Sequence, residues 1–554
     1  MYLNILPNDF VWDDAGQVAE NPFIRQWRNL PLFFTSGTFY SGEAKPSGPF
    51  YRPLVSFFYL LNYSVFGLRP FGFHLFQIFI HLLNSVLMFF IVERIFFLGR
   101  IKNPQEIAFL AAIIFAIHPA NVESVAFVGS IGEILYTFFG LGSILTLIFG
   151  LNWQDKTIKN RFLILSFFLA LLSLFSKESG IIILPLSFLY LLINFRPKLI
   201  QYLKWLFGLA VTFGIYFVFR FDIAKIAVAR SHLAPISEAD FFERLMTIPA
   251  EILYYFKVIF FPLYLSISQH FVISSIKYFS LFGFLFFLIL SAIGLLLWKK
   301  KSGALIFLLL WFFVSLAPVL NIVPVTATVA ERWLYFPIIG AFSFIGFLIV
   351  QLREKIKSPK MLPIFYIILS LLIIALGVRT IIRNGNWKDD FTLYSHDIKY
   401  SKQSFELENN YGIVLIQIGK YKEAERHLQM AVQLQKKNPH PYAGLGMLYT
   451  KTGDIEKAIE YYHKSIERGD MYGVYENLGS ILVQQKKWEE AENFLNKGII
   501  KFPKDPNLKW LLALVCRHKG EMSQAEFLLK EALKDAPENE VANHFLQLIK
   551  DRKF

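Results

Sequence analysis

The sequence predicts an all-α protein in two parts, a polytopic transmembrane helical bundle followed by a solenoid of stacked helix pairs. Three observations carry this: apolar stretches recur up to about residue 383, small residues repeat at a fixed period from about residue 405, and charge is divided unevenly between the two regions. Of the 554 residues 55% are hydrophobic, 60 are Phe and only 18% are charged, against about 25% charged in a typical soluble chain. That composition excludes a disordered chain, a collagen-like one and a disulfide scaffold. Cys516 is the single cysteine and leaves oxidising and reducing compartments both open. Residues 1–386 hold 31 Lys+Arg and 18 Asp+Glu, a balance of +13, whereas the rest of the chain holds 25 and 24, a balance of +1. The basic excess belongs to the apolar region, where it records membrane orientation. The near-neutral remainder lacks the basic patch that nucleic-acid binding requires.

Ten stretches are apolar enough to cross a bilayer: 71–93, 106–118, 131–150, 162–176, 179–195, 201–219, 279–298, 303–320, 333–351 and 361–383. Short basic loops separate them at Arg94–Lys102, Lys156–Arg161, Arg196–Lys204, Lys299–Lys301 and Arg353–Lys360. Placed in the cytoplasm, these loops alternate correctly with ten crossings. Glu251–Ser268, with Lys257, Pro262 and a row of aromatics, is then expected to be interfacial or re-entrant rather than a crossing. Residues 1–70 form an outward-facing first loop and 71–383 the bundle. Parity puts both chain ends outside, and an outside end without a signal peptide implies a further transmembrane helix ahead of Met1.

From about residue 405 the chain repeats. Ala424, Ala458, Ala491 and Ala525 stand 34, 33 and 34 apart. Gly412, Gly446, Gly479 and Ala513 recur on the first helix of each pair, and Ala431, Ser465, Gly498 and Ala532 on the second. Gly419-Lys420 and Gly453-Asp454 make turns, and Pro503 and Pro537 close two units. The period and the small packing positions resemble tetratricopeptide (TPR) repeats. Four repeats occupy 405–554 with Glu540–Lys550 as a capping helix, and 384–404 is a linker or degenerate repeat.

Under this topology an unusual set of ionisable residues gathers on the outer face. Asp13 and Asp14 lie in the first loop and Arg52 near its end; His118 and Glu123 open the next loop. Glu133, Lys177, Glu178, Glu331 and Arg332 stand at further helix ends. Charges so close to hydrocarbon line a cavity or pair with one another. No Ser-His-Asp order, glycine-rich phosphate loop or Cys/His cluster accompanies them. Carboxylates can take a proton from a hydroxyl nucleophile and arginines can hold a phosphate leaving group, a combination that fits glycosyl transfer from a lipid-phosphate sugar.

Five ordered motifs then resemble a known family. Phe10-Val11-Trp12-Asp13-Asp14, Tyr51-Arg52-Pro53-Leu54, His118-Pro119 through Glu123-Ser124-Val125-Ala126, Leu174-Phe175-Ser176-Lys177-Glu178 and Ala330-Glu331-Arg332-Trp333-Leu334-Tyr335 look like the transmembrane-and-TPR O-mannosyltransferases of the GT-C superfamily. The resemblance implies a GT-C-like bundle with eleven crossings, a polyprenyl-phosphate sugar donor, and transfer of mannose to a protein Ser/Thr hydroxyl with inversion. It implies Asp13 as the base, Asp14 as its orienting partner or that of the acceptor, and Arg52 and Arg332, with Lys177, as ligands of the donor phosphate. His118, Glu123, Glu133, Glu178 and Glu331 would line the site. Where the family carries an arginine two residues before an acidic position, this chain reads Ile131-Gly132-Glu133. No cofactor is required, although paired aspartates are able to hold a divalent ion. The partners implied are membrane lipid, the donor, and an acceptor polypeptide or protein partner in the TPR groove.

Plainer roles are open to the same residues. Asp13 or Asp14 suits a helix N-cap, Arg52 an interfacial anchor, His118 a helix end, and Lys177–Glu178 or Glu331–Arg332 a local ion pair. A membrane-anchored TPR scaffold and a ligase or flippase of lipid-linked glycans are the rival readings of the whole chain.

Overall fold

The computed structural model describes residues 1–550 apart from 41–45, 196–198, 227–233, 268, 275–277, 300–301, 402 and 537–538. Arg196, Lys198, Ser268, Lys300, Lys301 and Pro537, used above to assign topology and repeats, lie outside the described residues. The chain divides into two compact units. One comprises Met1–Asp14, Phe33–Thr35 and Tyr51–Gln403, and the other Ala15–Leu32, Ser36–Phe50 and Ser404–Phe554. Both are helical, and among the described residues the extended pairings are two isolated bridges, Phe39 with Ser47 and Gln269 with Val329.

In the first unit each of the ten apolar stretches contains a helix. They are preceded by α1 (Pro53–Phe66), an apolar helix within the segment read as first loop. Then follow α2 (Pro70–Leu98), α3 (Pro104–Ile117), α4 (Ile131–Asn152), α5 (Lys156–Ser176), α6 (Ile183–Asn194) and α7 (Leu199–Phe217). After α8 (Phe241–Phe260) come α9 (Tyr278–Lys299), α10 (Gly303–Leu316), α11 (Ile338–Lys355) and α12 (Met361–Asn386). Among the described residues, five helical stretches are by themselves long and apolar enough to cross a membrane: Pro70–Leu98, Val128–Asn152, Lys156–Ser176, Tyr202–Ile223 and Met361–Asn386. A sixth forms if α3 and Pro119–Ala126, bent by 54° between them, count as one. Some of the remaining stretches give shorter helices because an end is recruited into a turn. Thus the stretch expected from 333 becomes helical only at Ile338, since Glu331–Leu334 form a 3-10 turn. Helix α8 is amphipathic, with Asp240 and Glu243 closing a capping box at its start and Glu251 buried on its inner face.

Breaks in an apolar bundle leave carbonyl groups that water cannot reach, and each needs a donor. Helix α2 supplies them from one stripe, Gln77, His81 and Asn84, all buried. The Gln77 amide donates to the Phe127 carbonyl at 2.8 Å and the Asn84 amide to Ile134 at 2.9 Å. His81 Nε2 lies 3.2 Å from the carbonyl of Ala116. Tyr59 on α1 adds its hydroxyl to the carbonyl of Val128 at 3.2 Å. The breaks on either side of residues 118–130 are therefore built in. By contrast α12 is apolar around its whole circumference. Ile367, Leu371 and Ile374 are all more than half exposed, at 58%, 59% and 56%, the pattern of a helix whose neighbour is lipid.

The second unit contains the repeats as α13 (Phe405–Gln417), α14 (Tyr421–Leu434), α15 (Pro439–Thr452), α16 (Ile455–Ile466), α17 (Tyr472–Gln484), α18 (Trp488–Lys501), α19 (Pro506–His518) and α20 (Met522–Asp535), with α21 (Glu540–Lys550) as the cap. The repeated small residues mark where paired helices touch. A Cβ on Gly446 would stand 2.6 Å from the Tyr462 ring, and one on Gly479 would stand 2.5 Å from Leu495. Ala424, Ala458, Ala491 and Ala525 have no exposed surface. The segment 384–404 holds a short helix, Asp390–Asp397, which is grouped with the bundle. Ala458→Leu forces three further carbons into a filled contact and is expected to destabilise the repeats by about 1–3 kcal/mol. A lower denaturant midpoint, followed by tryptophan fluorescence, would measure it.

Candidate functional site

The site is built where helix ends of the first unit meet. Its first component is the segment Phe10–Asp14. Trp12 adopts a left-handed backbone, with φ 57°, and its N–H donates to Asp390 Oδ1 at 2.9 Å. Asp14 has no exposed surface. Its Oδ2 accepts from the Val11 N–H at 3.0 Å and its Oδ1 from the Gly129 N–H at 2.6 Å. Both donors lie outside the helical turn that follows, so Asp14 is a clamp between the segment and the break before α4, not an N-cap. Burial pushes its carboxyl well above the usual carboxylate range, against the two backbone donors, which favour the anion. Asp13, next to this anchor, is exposed.

Beside it stands Arg332. Glu123, fully buried, accepts from the Arg332 N–H at 2.9 Å through Oε2 and pairs with its guanidinium through Oε1. The guanidinium lies over Trp12, 5.2 Å from the ring centre. Trp12 stacks on Phe127 at 5.1 Å, and Phe127 on Trp387 at 5.6 Å. Burial opposes the charge on Arg332, but Glu123 first, then Glu133 and Asp13, hold its pKa above the ordinary value. A guanidinium carries five donors, so pairing with Glu123 leaves Arg332, whose side chain is 17% exposed, able to grip a second anion.

Two further pairs complete the cluster. Glu178, just past α5, accepts from Arg52 Nε at 3.0 Å and from Arg220 Nη1 at 3.1 Å, and it also takes the Tyr51 N–H at 3.3 Å. Arg220 Nη1 lies 3.1 Å from the Tyr216 hydroxyl. Lys177 pairs with Glu133 and stands 5.8 Å from the Tyr136 ring centre. Gly132 lets α4 come this close: a Cβ there would lie 3.1 Å from the Ser176 carbonyl and 4.0 Å from Arg52 Cδ. Gly132, next to the Ile131 that departs from the expected pattern, thus sits at the junction of α1, α4 and α5. Among the described residues no three His, Cys, Asp or Glu side chains come together as a metal-ligand set.

Of the residues singled out in the sequence, the structure brings together Asp13, Asp14, Arg52, Glu123, Glu133, Lys177, Glu178 and Arg332. His118 is held apart. It is 1% exposed; Nδ1 accepts from the Ala120 N–H at 3.2 Å and Nε2 faces the Ile259 carbonyl at 3.0 Å. Its place is a helix end. Glu331 is also turned away, accepting from the Ser266 N–H at 2.5 Å. Burial pushes its carboxyl up to about 8, opposed by Arg383 3.9 Å away.

The sequence reading missed Arg220, Arg383 and Asp397. Arg383, fully buried, grips Asp397 through both terminal nitrogens at 2.6 and 3.0 Å, and Asp397 also accepts from the Ile267 N–H at 2.8 Å. Each arginine stands in or at the end of an apolar run, which was the available signal.

A membrane-embedded helical bundle followed by a TPR array is the class that these features define. Tetratricopeptide-repeat family models match residues 403–469, 443–506 and 482–548. A protein O-mannosyl-transferase of Caenorhabditis elegans is 27% identical over 440 residues, covering 78% of this chain and 61% of that protein. The protein O-mannosyl-transferase TMTC3 of Mus musculus is 23% identical over 551 residues, covering 90% of this chain and 58% of that protein. The chain therefore spans about three fifths of the length of these curated relatives. Among solved structures, the TPR protein YrrB is 16% identical, covers 29% of this chain and 83% of its own, and superposes with a TM-score of 0.25. The resemblance to the transmembrane-and-TPR O-mannosyltransferases holds over most of the chain.

Asp397→Asn leaves Arg383 in a buried site without its full counter-charge and is expected to cost about 3–5 kcal/mol, read as a fall in melting temperature. Burial alone would raise the Asp397 carboxyl, but Arg383 holds it below its ordinary value. The stability it confers is therefore present above about pH 4 and is lost as pH falls through the depressed pKa. The parent should lose this increment in acid, and the variant should not.

Proposed function

We propose that this chain is an integral membrane glycosyltransferase that moves mannose from a polyprenyl-phosphate donor to a Ser or Thr hydroxyl of a protein. The observation that carries the proposal is an exposed Asp13, next to the anchored Asp14 and within electrostatic reach of Arg332, in a cluster that also holds Arg52 and Lys177. In the reaction the acceptor oxygen attacks the anomeric carbon while Asp13 takes its proton. The bond from that carbon to the phosphate oxygen breaks, and the electron pair leaves on the lipid phosphate between Arg52, Arg332 and Lys177. Attack opposite the leaving group inverts the anomeric configuration. Glu123, Glu133 and Glu178 hold these cations in place before the donor arrives, so little reorganisation is needed at the moment of transfer. The cations supply the charge that the leaving phosphate needs, and the step requires no metal. The relatives' names support the reaction class, and the repeats support a protein partner, either the acceptor or a second protein.

The active site and the repeats belong outside the cytoplasm, on the periplasmic, extracellular or lumenal side, by the alternation of basic loops. A cysteine placed at exposed Lys451 should react with an impermeant maleimide from that side and not from the cytoplasm.

Asp13→Asn keeps the shape of the side chain and removes the base. Transfer from polyprenyl-phosphate mannose should fall by about 10²–10⁴-fold with the melting temperature unchanged. Arg52→Lys keeps a charge but loses the planar fork, so donor KM should rise more than stability falls. Parent-rate transfer by Asp13→Asn would remove Asp13 as the base. A parent inactive with every polyprenyl-phosphate sugar would favour the scaffold reading.

A further inference from the structure

The second unit contains more than repeats. Two pieces of the first loop, Ala15–Leu32 and Ser36–Phe50, are grouped with the TPR helices rather than with the bundle. Within that unit the contacts are specific. The Tyr472 hydroxyl, at the start of α17, donates to Glu20 Oε2 at 2.9 Å. The Tyr40 hydroxyl lies 3.4 Å from the carbonyl of Lys504, just before α19. The Tyr40 and Tyr472 rings are 6.5 Å apart, and Tyr40 also meets Phe23 of the loop at 6.1 Å. One turn along α17 from Tyr472, Glu476 accepts from the Asn507 amide of α19 at 3.1 Å. The loop thus seats at the start of α17 and on the turn that leads into α19, two helices that pack on each other. Stacked repeats create the extended surfaces that solenoid proteins use for binding.

The loop is short at its N-terminal side. The Tyr40 N–H donates to the Gly16 carbonyl at 3.2 Å, so Ala15 alone separates this docked part from Asp14. Fixing Gly16 through Tyr40 therefore limits where Asp13 and Asp14 can go.

We propose that the last two repeats take the chain's own first loop as their ligand, and that this docking is a positioning device for Asp13. Tyr40, Glu20 and Tyr472 are its positioning residues. Acceptor binding, where it uses the array, then falls to the first two helix pairs, α13–α16. The proposal rests on the reading of Asp13 as the base, but docking itself is testable without it.

The test uses the full chain in lipid nanodiscs with Cys516, which is buried, changed to Ala. Glu20→Cys and Tyr472→Cys are introduced together and joined by a short bis-maleimide. Rapid intramolecular cross-linking is expected, with Tyr40→Ala slowing it. The unlinked double variant should lose up to about 10²-fold in kcat, the scale of an ångström-sized misplacement, with donor KM unchanged. Linking should restore kcat, which a merely structural role would not do. Failure to cross-link would overturn the docking. Cross-linking that lowers kcat further, or leaves it unrestored, would overturn the positioning role. If the parent transfers no sugar, the enzyme reading fails, and the cross-link still decides whether the repeats hold the loop.

Discussion

Every broken helix in the bundle depends on one constraint: in an apolar interior each backbone carbonyl and amide freed by a break must find a partner. The stripe on α2 and the hydroxyl of Tyr59 answer that demand for residues 116–134, and the Asp14 carboxylate answers it for the amide of Gly129. The consequence reaches the chemistry. An uninterrupted helix through 104–152 would have no turn to aim Glu123 at Arg332, no junction at Gly132, and no amide for Asp14 to hold. The polar site exists because the backbone is interrupted, and the interruption is tolerated because a neighbouring helix carries side-chain amides and an imidazole at the right spacing.

Within the site the charges are arranged in pairs rather than as a bare basic pocket. A buried guanidinium without a counter-ion would be strongly destabilising, and a pair still bears a large desolvation cost. Arg332 with Glu123, Lys177 with Glu133, and Arg52 and Arg220 sharing Glu178 distribute that cost over several elements. The carboxylates also fix the direction of each planar fork. Any anion entering this cluster would meet oriented donors and compete with carboxylates for them, an exchange of partners rather than the neutralisation of an isolated charge.

Much of this was legible in the sequence, and the parts that were not have physical reasons. The repeat was readable because its small residues mark helix contacts where a Cβ cannot fit, as at Gly446. The gathering of Arg52, Lys177, Glu178 and Arg332 followed from their recurrence at helix ends. The sequence did not reveal which partner each would choose. Glu178 and Lys177 are adjacent, yet Lys177 pairs with Glu133 across to α4 while Glu178 pairs with Arg52 and Arg220. Neighbouring side chains pointing to opposite partners is a property of the turn between α5 and α6, not of spacing. The resemblance alone distinguished Asp13 as base from Asp14 as its orienting residue; the burial of Asp14 and the exposure of Asp13 are properties of the fold that spacing does not reveal. Helix α1 (14 residues) lies inside the segment assigned to the outward-facing first loop, so its apolar run does not figure in the sequence reading of the bundle.

Helix α12 has 26 residues, but its apolar run stops at Arg379, and residues 361–378 rise roughly 27 Å at about 1.5 Å each, close to a hydrocarbon layer of about 30 Å. Its last turn cannot sink into lipid, because Arg383 is committed to Asp397. That ion pair therefore sets the depth of the helix from one end. Trp387, which faces the Arg383 guanidinium at 5.6 Å, shares that depth and closes the aromatic stack on which Arg332 rests.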